Sequence, residues 1–290
     1  MRLDARYTLE EANNFWVNCR ECHLGVNREE RNAYFVSGMG TPKWKQGSPC
    51  ILFLDEAPGW QEESKGDPWS GKGGQLLKQV IDHFGLQEAY LTNIVPCRSC
   101  EQIMDDKNEP MVRETKYGKK FLIYRDVQPT AQNIKACRER LMQEIYLVDP
   151  LLIVTLGKNA TSALLGGACD IMNERGKEQT VEIPGVLYDP KITTAGNWGK
   201  ATGSTVAFPL ERRTVKYMVI PTFHMSFVLR KVADRGKDSP MNLFLSDIHK
   251  ACKVYDRYMM ESGSSAVSII SKKEIDEFGV TAEEMHEREQ

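Results

Sequence analysis

The chain has 290 residues, 41% of them apolar, and a net charge of −2. That admits one large α/β domain or two small ones around a real core, and argues against a uniformly basic nucleic-acid coat. No window holds the ~18 apolar residues of a membrane span, and the start, MRLDARYTLEEANNFW, has no apolar signal run, so a cytoplasmic protein is expected.

In chain order, the first feature is Cys19-x-x-Cys22, a ligand pair. Eight cysteines without an export signal point to metal or catalysis before disulfides. A buried strand is predicted over 50–54 (CILFL), followed by an acidic turn, Asp55 to Ser64. Next comes GDPWSGKGG, Gly66 to Gly74, close to a phosphate-binding loop. It lacks the hydroxyl that holds Mg²⁺, because Gly73 follows Lys72. Eleven residues also separate it from the strand, and Asp55, Glu56, Glu62 and Glu63 among them would repel a triphosphate. A helix follows over 75–84, with Leu76, Leu77, Val80, Ile81 and Phe84 on one stripe. A second strand covers 89–95 (AYLTNIV) and runs into Pro96-Cys97.

The segment 98–128 is polar and aperiodic. A helix over 130–148 (Ile134, Cys137, Leu141, Ile145, Val148), a strand over 151–156 (LLIVTL) and a helix over 158–165 come next. The segment 166–214 is again irregular. A fourth strand at 217–220 (YMVI) leads through PTFHMSFVLR to a helix over 242–258. Strands alternating with helices predict an α/β fold, a three-layer αβα sandwich around a central four-stranded parallel sheet. One domain over 1–260 is expected, with insertions at about 98–128 and 166–214 and an acidic extension at 261–290. Residues 191–237 carry nine Lys or Arg against two acids, a local basic face able to hold phosphates.

Ligands of open parallel sheets bind beyond the carboxyl ends of the strands. The acidic turn, Asn93 and His224 would therefore meet at one rim, with the Gly66–Gly74 stretch beside them. The residues at this rim carry a resemblance. Glu56-Ala57-Pro58-Gly59 and Glu62, then Gly66, Pro68-Trp69, Gly71 and Gly74, resemble the E-A-P-G-x-x-E and G-x-P-[aromatic]-x-G-x-x-G motif of the family-4 uracil-DNA glycosylases. These are iron–sulfur members of the uracil-DNA glycosylase superfamily. Thr92-Asn93-Ile94-Val95-Pro96-Cys97-Arg98 is similar to the family's T-N-V-x-K-C-R. Pro221-Thr222-Phe223-His224 through Leu229-Arg230 is similar to its P-T-x-H-P-x-x-x-L-R, and Leu156–Ala160 to its L-G-x-x-A.

The resemblance implies a DNA glycosylase, a hydrolase that cleaves the N-glycosidic bond of a flipped uracil or modified pyrimidine and leaves an abasic site. It implies a monomer acting on DNA in a bacterial or phage setting. Glu56, Glu62 and His224 are the expected catalytic residues. His224 would stabilise the departing base anion, and the two acids would orient water and oppose the cationic sugar, Glu62 chiefly as water holder. Ala57, Trp69 and Asn93 would bind the base, Trp69 by stacking and Asn93 by reading the pyrimidine edge. Ser226, Arg230 and Lys231 would touch DNA.

Two completions of the Cys pair compete. Cys19, Cys22, Cys97 and Cys100 have the spacing of a zinc site. The family's pattern instead implies a structural [4Fe-4S] cluster on Cys19, Cys22, Cys97 and Cys137, with 39 residues between the last two. The chain departs from the family at four points. Asp55 replaces a Gly, Ser99 and Cys100 follow Cys97-Arg98, Met225 replaces a Pro after His224, and Trp69 replaces a Phe. These alter the rim and leave open a hypermodified pyrimidine as substrate, or a non-catalytic DNA-binding module.

Overall fold

The structure, a computed structural model, describes residues 8–186, 212–234 and 236–261. The acidic tail beyond 261 and the middle of the second insertion lie outside the described residues. Two helices, α1 (Leu9–Trp16) and α2 (His23–Glu30), precede the short strand β1 (Met39–Gly40) and the first long strand, β2 (Ile51–Asp55). Helices α3 (Trp60–Lys65) and α4 (Lys72–His83) lead to β3 (Tyr90–Asn93). The short strands β4 (Cys100–Gln102), β5 (Val112–Glu114), β6 (Lys120–Leu122) and β7 (Tyr124–Asp126) make up the first insertion. Then come α5 (Ala131–Val148), β8 (Leu152–Leu156), α6 (Lys158–Leu165), α7 (Ile171–Glu174), β9 (Gln179–Val186), β10 (Arg212–Thr222), α8 (Met225–Arg230) and α9 (Pro240–Glu261).

Among the described residues the main sheet has the order β1-β3-β2-β8-β10-β9. Its four inner strands are mutually parallel, as predicted. The two edge strands, β1 and β9, are antiparallel additions that the sequence did not announce. β1 is two residues long, and β9 contains Pro184 and Gly185, which weaken a strand pattern and are tolerated at an edge.

Strand alternation builds the three layers. In β2, Ile51 and Phe53 face one apolar cluster with α4, α8 and α9, while Leu52 and Leu54 face another with α1, α2, α5 and α6. β8 repeats this, with Leu152 and Val154 on the first side and Ile153 on the second. The α4 stripe Leu76, Leu77, Val80 and Ile81 is fully buried. Thr130 starts α5 through a capping box with Asn133.

Two buried ion clusters fix the carboxyl ends of the strands. Glu144 of α5 accepts hydrogen bonds from the Tyr90 and Thr92 hydroxyls, each at 2.8 Å, and pairs with Arg140. Arg140 also donates to the carbonyl of Asn93, and so anchors the last residue of β3. At β10, Asp247 of α9 accepts from Thr222 Oγ1 and Arg175, both at 2.8 Å, two residues before His224.

Candidate active site

A cavity of about 550 Å³ opens at the carboxyl ends of β2, β3 and β10. It lies where β3 departs to one side of β2 and β8 to the other, the topological switch point at which open α/β sheets take ligands. Asp55 lines it from the end of β2, Glu56 and Ala57 from the turn that follows, Glu62 from α3, and Asn93 from the end of β3. His224, Ser226 and Arg230 line it from α8 and its cap, and Trp69 from the glycine-rich turn. All the base-side and catalytic residues expected from sequence thus meet in one place. Lys231 does not: it lies outside the cavity lining, half-exposed and 3.9 Å from Asp234.

Local chemistry explains each placement. Gly157 follows β8 and caps α6 at φ +88°, and a Cβ there would stand 2.7 Å from His224 Cβ, so only glycine lets the β8–α6 turn support the histidine. Helix α4 begins at Lys72, three residues earlier than predicted, and takes in Gly73 and Gly74. A Cβ on Gly74 would lie 2.4 Å from the Trp69 backbone, so this glycine serves close packing of helix on turn. Trp69 adopts a left-handed φ of +62° and is only 5% exposed. It is part of the core as well as cavity wall.

Glu62 uses both carboxylate oxygens on backbone amides, Gly59 N–H at 3.1 Å and Gly71 N–H at 2.8 Å. It ties the starts of α3 and α4 together. Glu56 takes a hydrogen bond from Asn159 Nδ2 at 2.8 Å, and burial raises its carboxyl above the ordinary value. Sequence reasoning missed Asn159; the L-G-x-x-A motif that contains it was the available signal.

Asp55, one of the acids after β2 and a departure from the family pattern, makes an ionic contact with His224 in the cavity. Its Oδ1 lies 3.0 Å from His224 Nε2 and also accepts the Glu56 N–H at 2.8 Å. On the other side of the ring, Ser226 Oγ lies 2.7 Å and Ser226 N 3.1 Å from Nδ1. The hydroxyl can accept from a protonated Nδ1, whereas the amide N–H favours its lone pair. The carboxylate brings a full charge and dominates, pushing His224 up to about 9. Because the folded value lies above the ordinary histidine value, this pair stabilises the fold fully below pH ~6.5. That contribution fades as pH rises through about 9. Asp55→Asn is expected to move the His224 titration back toward pH ~6.5, followed by imidazole NMR. A midpoint still near 9 in this variant would remove Asp55 as the cause.

The cysteines form a second locus. Cys97 and Cys137 are buried in the α1/α2/α5 cluster, with Cys19 and Cys22 packed against it. Cys19 feels the charge of Cys22, Cys97 that of both, and Cys137 that of all three. Burial raises Cys19 and pushes Cys97 and Cys137 up to about 12. Cys100 sits elsewhere, among Arg31, Arg98, Glu63 and Asp126 at the root of the first insertion. Among the described residues no three His, Cys, Asp or Glu side chains gather as a ready metal site.

Comparison with known proteins now decides the family. A model of the Uracil DNA glycosylase superfamily matches residues 43–248. The chain belongs to the uracil-DNA glycosylase superfamily. Its αβα fold follows from that, as does the enzyme class, a DNA glycosylase. The chain is 28% identical to a type-4 uracil-DNA glycosylase of Archaeoglobus fulgidus over 73% of its own length and 79% of that protein. It is 27% identical to one of Pyrobaculum aerophilum over 79% and 88%. It is 32% identical to one of Saccharolobus solfataricus over 60% and 67%. The superfamily match contains every cavity residue named above and excludes the Cys19–Cys22 pair. Among the described residues no helix is long and apolar enough to cross a membrane.

Proposed function

We propose that this protein removes uracil, or a closely related pyrimidine, from DNA by hydrolysing the N-glycosidic bond of an extruded nucleotide, leaving an abasic site. The observation that carries this is the convergence of Glu56, Asn93, Trp69 and His224 on one cavity at the switch point of the sheet. Breaking the bond leaves an oxocarbenium-like sugar and a base anion. Asn93 offers an amide donor and acceptor to the pyrimidine edge. The Trp69 wall offers a face for stacking, worth ~1–3 kcal/mol per base. His224, held as a cation by Asp55, opposes the negative charge that builds on the base oxygen. Glu56, fixed by Asn159, stands beside the sugar side as the acid that orients water. Glu62, with both oxygens engaged by backbone amides, holds the two loops in register, and this shifts the water role to Glu56.

The reading extends to a [4Fe-4S] cluster on Cys19, Cys22, Cys97 and Cys137. What supports it is that Cys97 and Cys137 are buried in one apolar cluster with Cys19 and Cys22 packed against it, where thiolates need a strong cationic partner. The group would supply a cross-link and no redox step. It would join the α1–α2 turn, the chain just after Asn93 and helix α5. Purified anaerobically, the protein is expected to carry about four irons per chain. Cys137→Ala is expected to lose iron and solubility, and Cys100→Ala to keep both. Stoichiometric zinc without iron would overturn this part.

The function itself is tested by incubating the protein with oligonucleotides carrying uracil and several modified pyrimidines, then cleaving abasic sites with alkali. Strand scission at uracil is the expected result. Scission at a modified pyrimidine alone would reassign the substrate, and none at any base would refute the enzymatic reading.

A further inference from the structure

The first insertion is a projecting antiparallel arm. Its root is the β4–β7 pair, with Val127 N–H donating to the Ser99 carbonyl at 2.9 Å. Its middle is joined by Ile103, Met111 and Ile123 through backbone bonds of 2.8–3.0 Å. Its outer end is the β5–β6 ribbon, closed by a turn at Thr115–Lys119. The root is fixed to the body. Arg98 pairs with Asp126 and lies 3.7 Å from Glu63, and Arg31 stacks over Tyr124 at 5.3 Å.

The outer ribbon lacks what usually holds such a structure. All six residues of β5 and β6 are exposed, including Val112 at 47%, Phe121 at 46% and Leu122 at 48%. Tyr117, in the turn, is 83% exposed. A two-stranded hairpin with neither face covered is marginal in water, so this one is built to be covered. Its charge says by what. From Met111 to Leu122 the ribbon carries Arg113, Lys116, Lys119 and Lys120 against Glu114 alone. Lys116 lies over the Tyr117 ring at 5.0 Å and Lys119 over the Phe121 ring at 4.9 Å. Alternating cations and aromatic faces suit phosphates with bases or sugars between them. A protein partner would leave four cations to be matched one by one. The arm is also continuous with the active site, because Ser99, Asp126 and Val127 at its root line the cavity.

We infer that the β5–β6 ribbon is a DNA-binding arm that grips the DNA flanking the nucleotide held in the cavity. The inference rests on the cavity being a nucleotide site. From Lys120 through β6 and β7 to Asp126, at about 3.3 Å per residue, the chain reaches on the order of 20 Å. At ~3.4 Å per nucleotide along a strand, that is about six nucleotides from the cavity. The arm thus lengthens the footprint and leaves the chemistry alone.

Two variants of the full-length protein test it: one with Arg113, Lys116, Lys119 and Lys120 all changed to Ser, and Tyr117→Ala alone. Each is measured on uracil oligonucleotides with flanks of about twelve nucleotides and of about three, the latter too short for the arm to reach. The fourfold variant is expected to bind the long oligonucleotide about tenfold or more weakly, with a salt dependence shallower by about two to three ions. Tyr117→Ala is expected to weaken it about tenfold. Excision from the short oligonucleotide should match wild type for both. Wild-type affinity and salt slope on the long oligonucleotide would overturn the proposal, as would a change of oligomeric state with DNA binding intact. If wild type excises no base but the variants still lose affinity for long DNA, the arm stands and the catalytic reading falls.

Discussion

His224→Ala is expected to slow single-turnover uracil excision by about 10²–10³-fold while DNA affinity stays near wild type. The reason is when the charge appears. The base anion exists fully only in the transition state, and a group that stabilises it there raises the chemical rate without tightening the ground-state complex. Removing one such donor costs about that factor. The fold brings His224 to the cavity wall, with Asp55 at 3.0 Å on Nε2 and Gly157 leaving room beside its Cβ; to donate to the base oxygen, Nε2 must exchange Asp55 for it. Trp69→Ala should act differently, weakening binding as well as rate, because stacking already operates on the extruded ground state. The measurement is rapid-quench excision at saturating enzyme beside equilibrium DNA binding. Unchanged excision in His224→Ala would remove the histidine from the chemistry. Tight DNA binding by a wild type that cleaves nothing would leave only a binding module.

Arg140→Ala is expected to be the most destabilising single substitution near the site, at about 3–5 kcal/mol. Arg140 and Glu144 are 4% and 3% exposed at the side chain. Removing the guanidinium strands the Glu144 carboxylate among Tyr90, Thr92 and apolar neighbours, where an unpaired charge is costly. It also frees the carbonyl of Asn93, so excision should fall even where the fold survives. Arg138, on the same helix with an exposed bond to the Ala163 carbonyl, serves as control and should cost about 0–1 kcal/mol as Ala. Urea unfolding of both variants checks this. A cost below about 1 kcal/mol for Arg140→Ala would show that the buried pair is dispensable.

Much of this was legible in the sequence because it depends on short-range periodicity. The alternation Ile51, Leu52, Phe53, Leu54 splits between the two apolar clusters. The Leu76, Leu77, Val80, Ile81 stripe marks the buried face of α4. Strand ends in a parallel sheet define one rim, so Glu56, Asn93 and His224 could be placed together from their positions after three strands. The cysteine quartet with Cys137 came from the family resemblance, while spacing alone pointed to Cys100 in its place.

What the sequence determined by itself was the set of layers, the inner strands and the residue types at the rim, because each follows from a local pattern repeated over a few residues. Only the tertiary structure decided how those residues are engaged. Glu62 is occupied by two backbone amides, which carry no signature in a sequence. Asp55 reaches His224 across the mouth of the sheet, a contact between the ends of two different strands. Trp69 is buried through a left-handed turn that no propensity announces. The first insertion read as irregular because a ribbon exposed on both faces has no burial period to show. In each case the deciding quantity is a distance between chain segments, set by packing and strand order, and it is absent from any window of sequence.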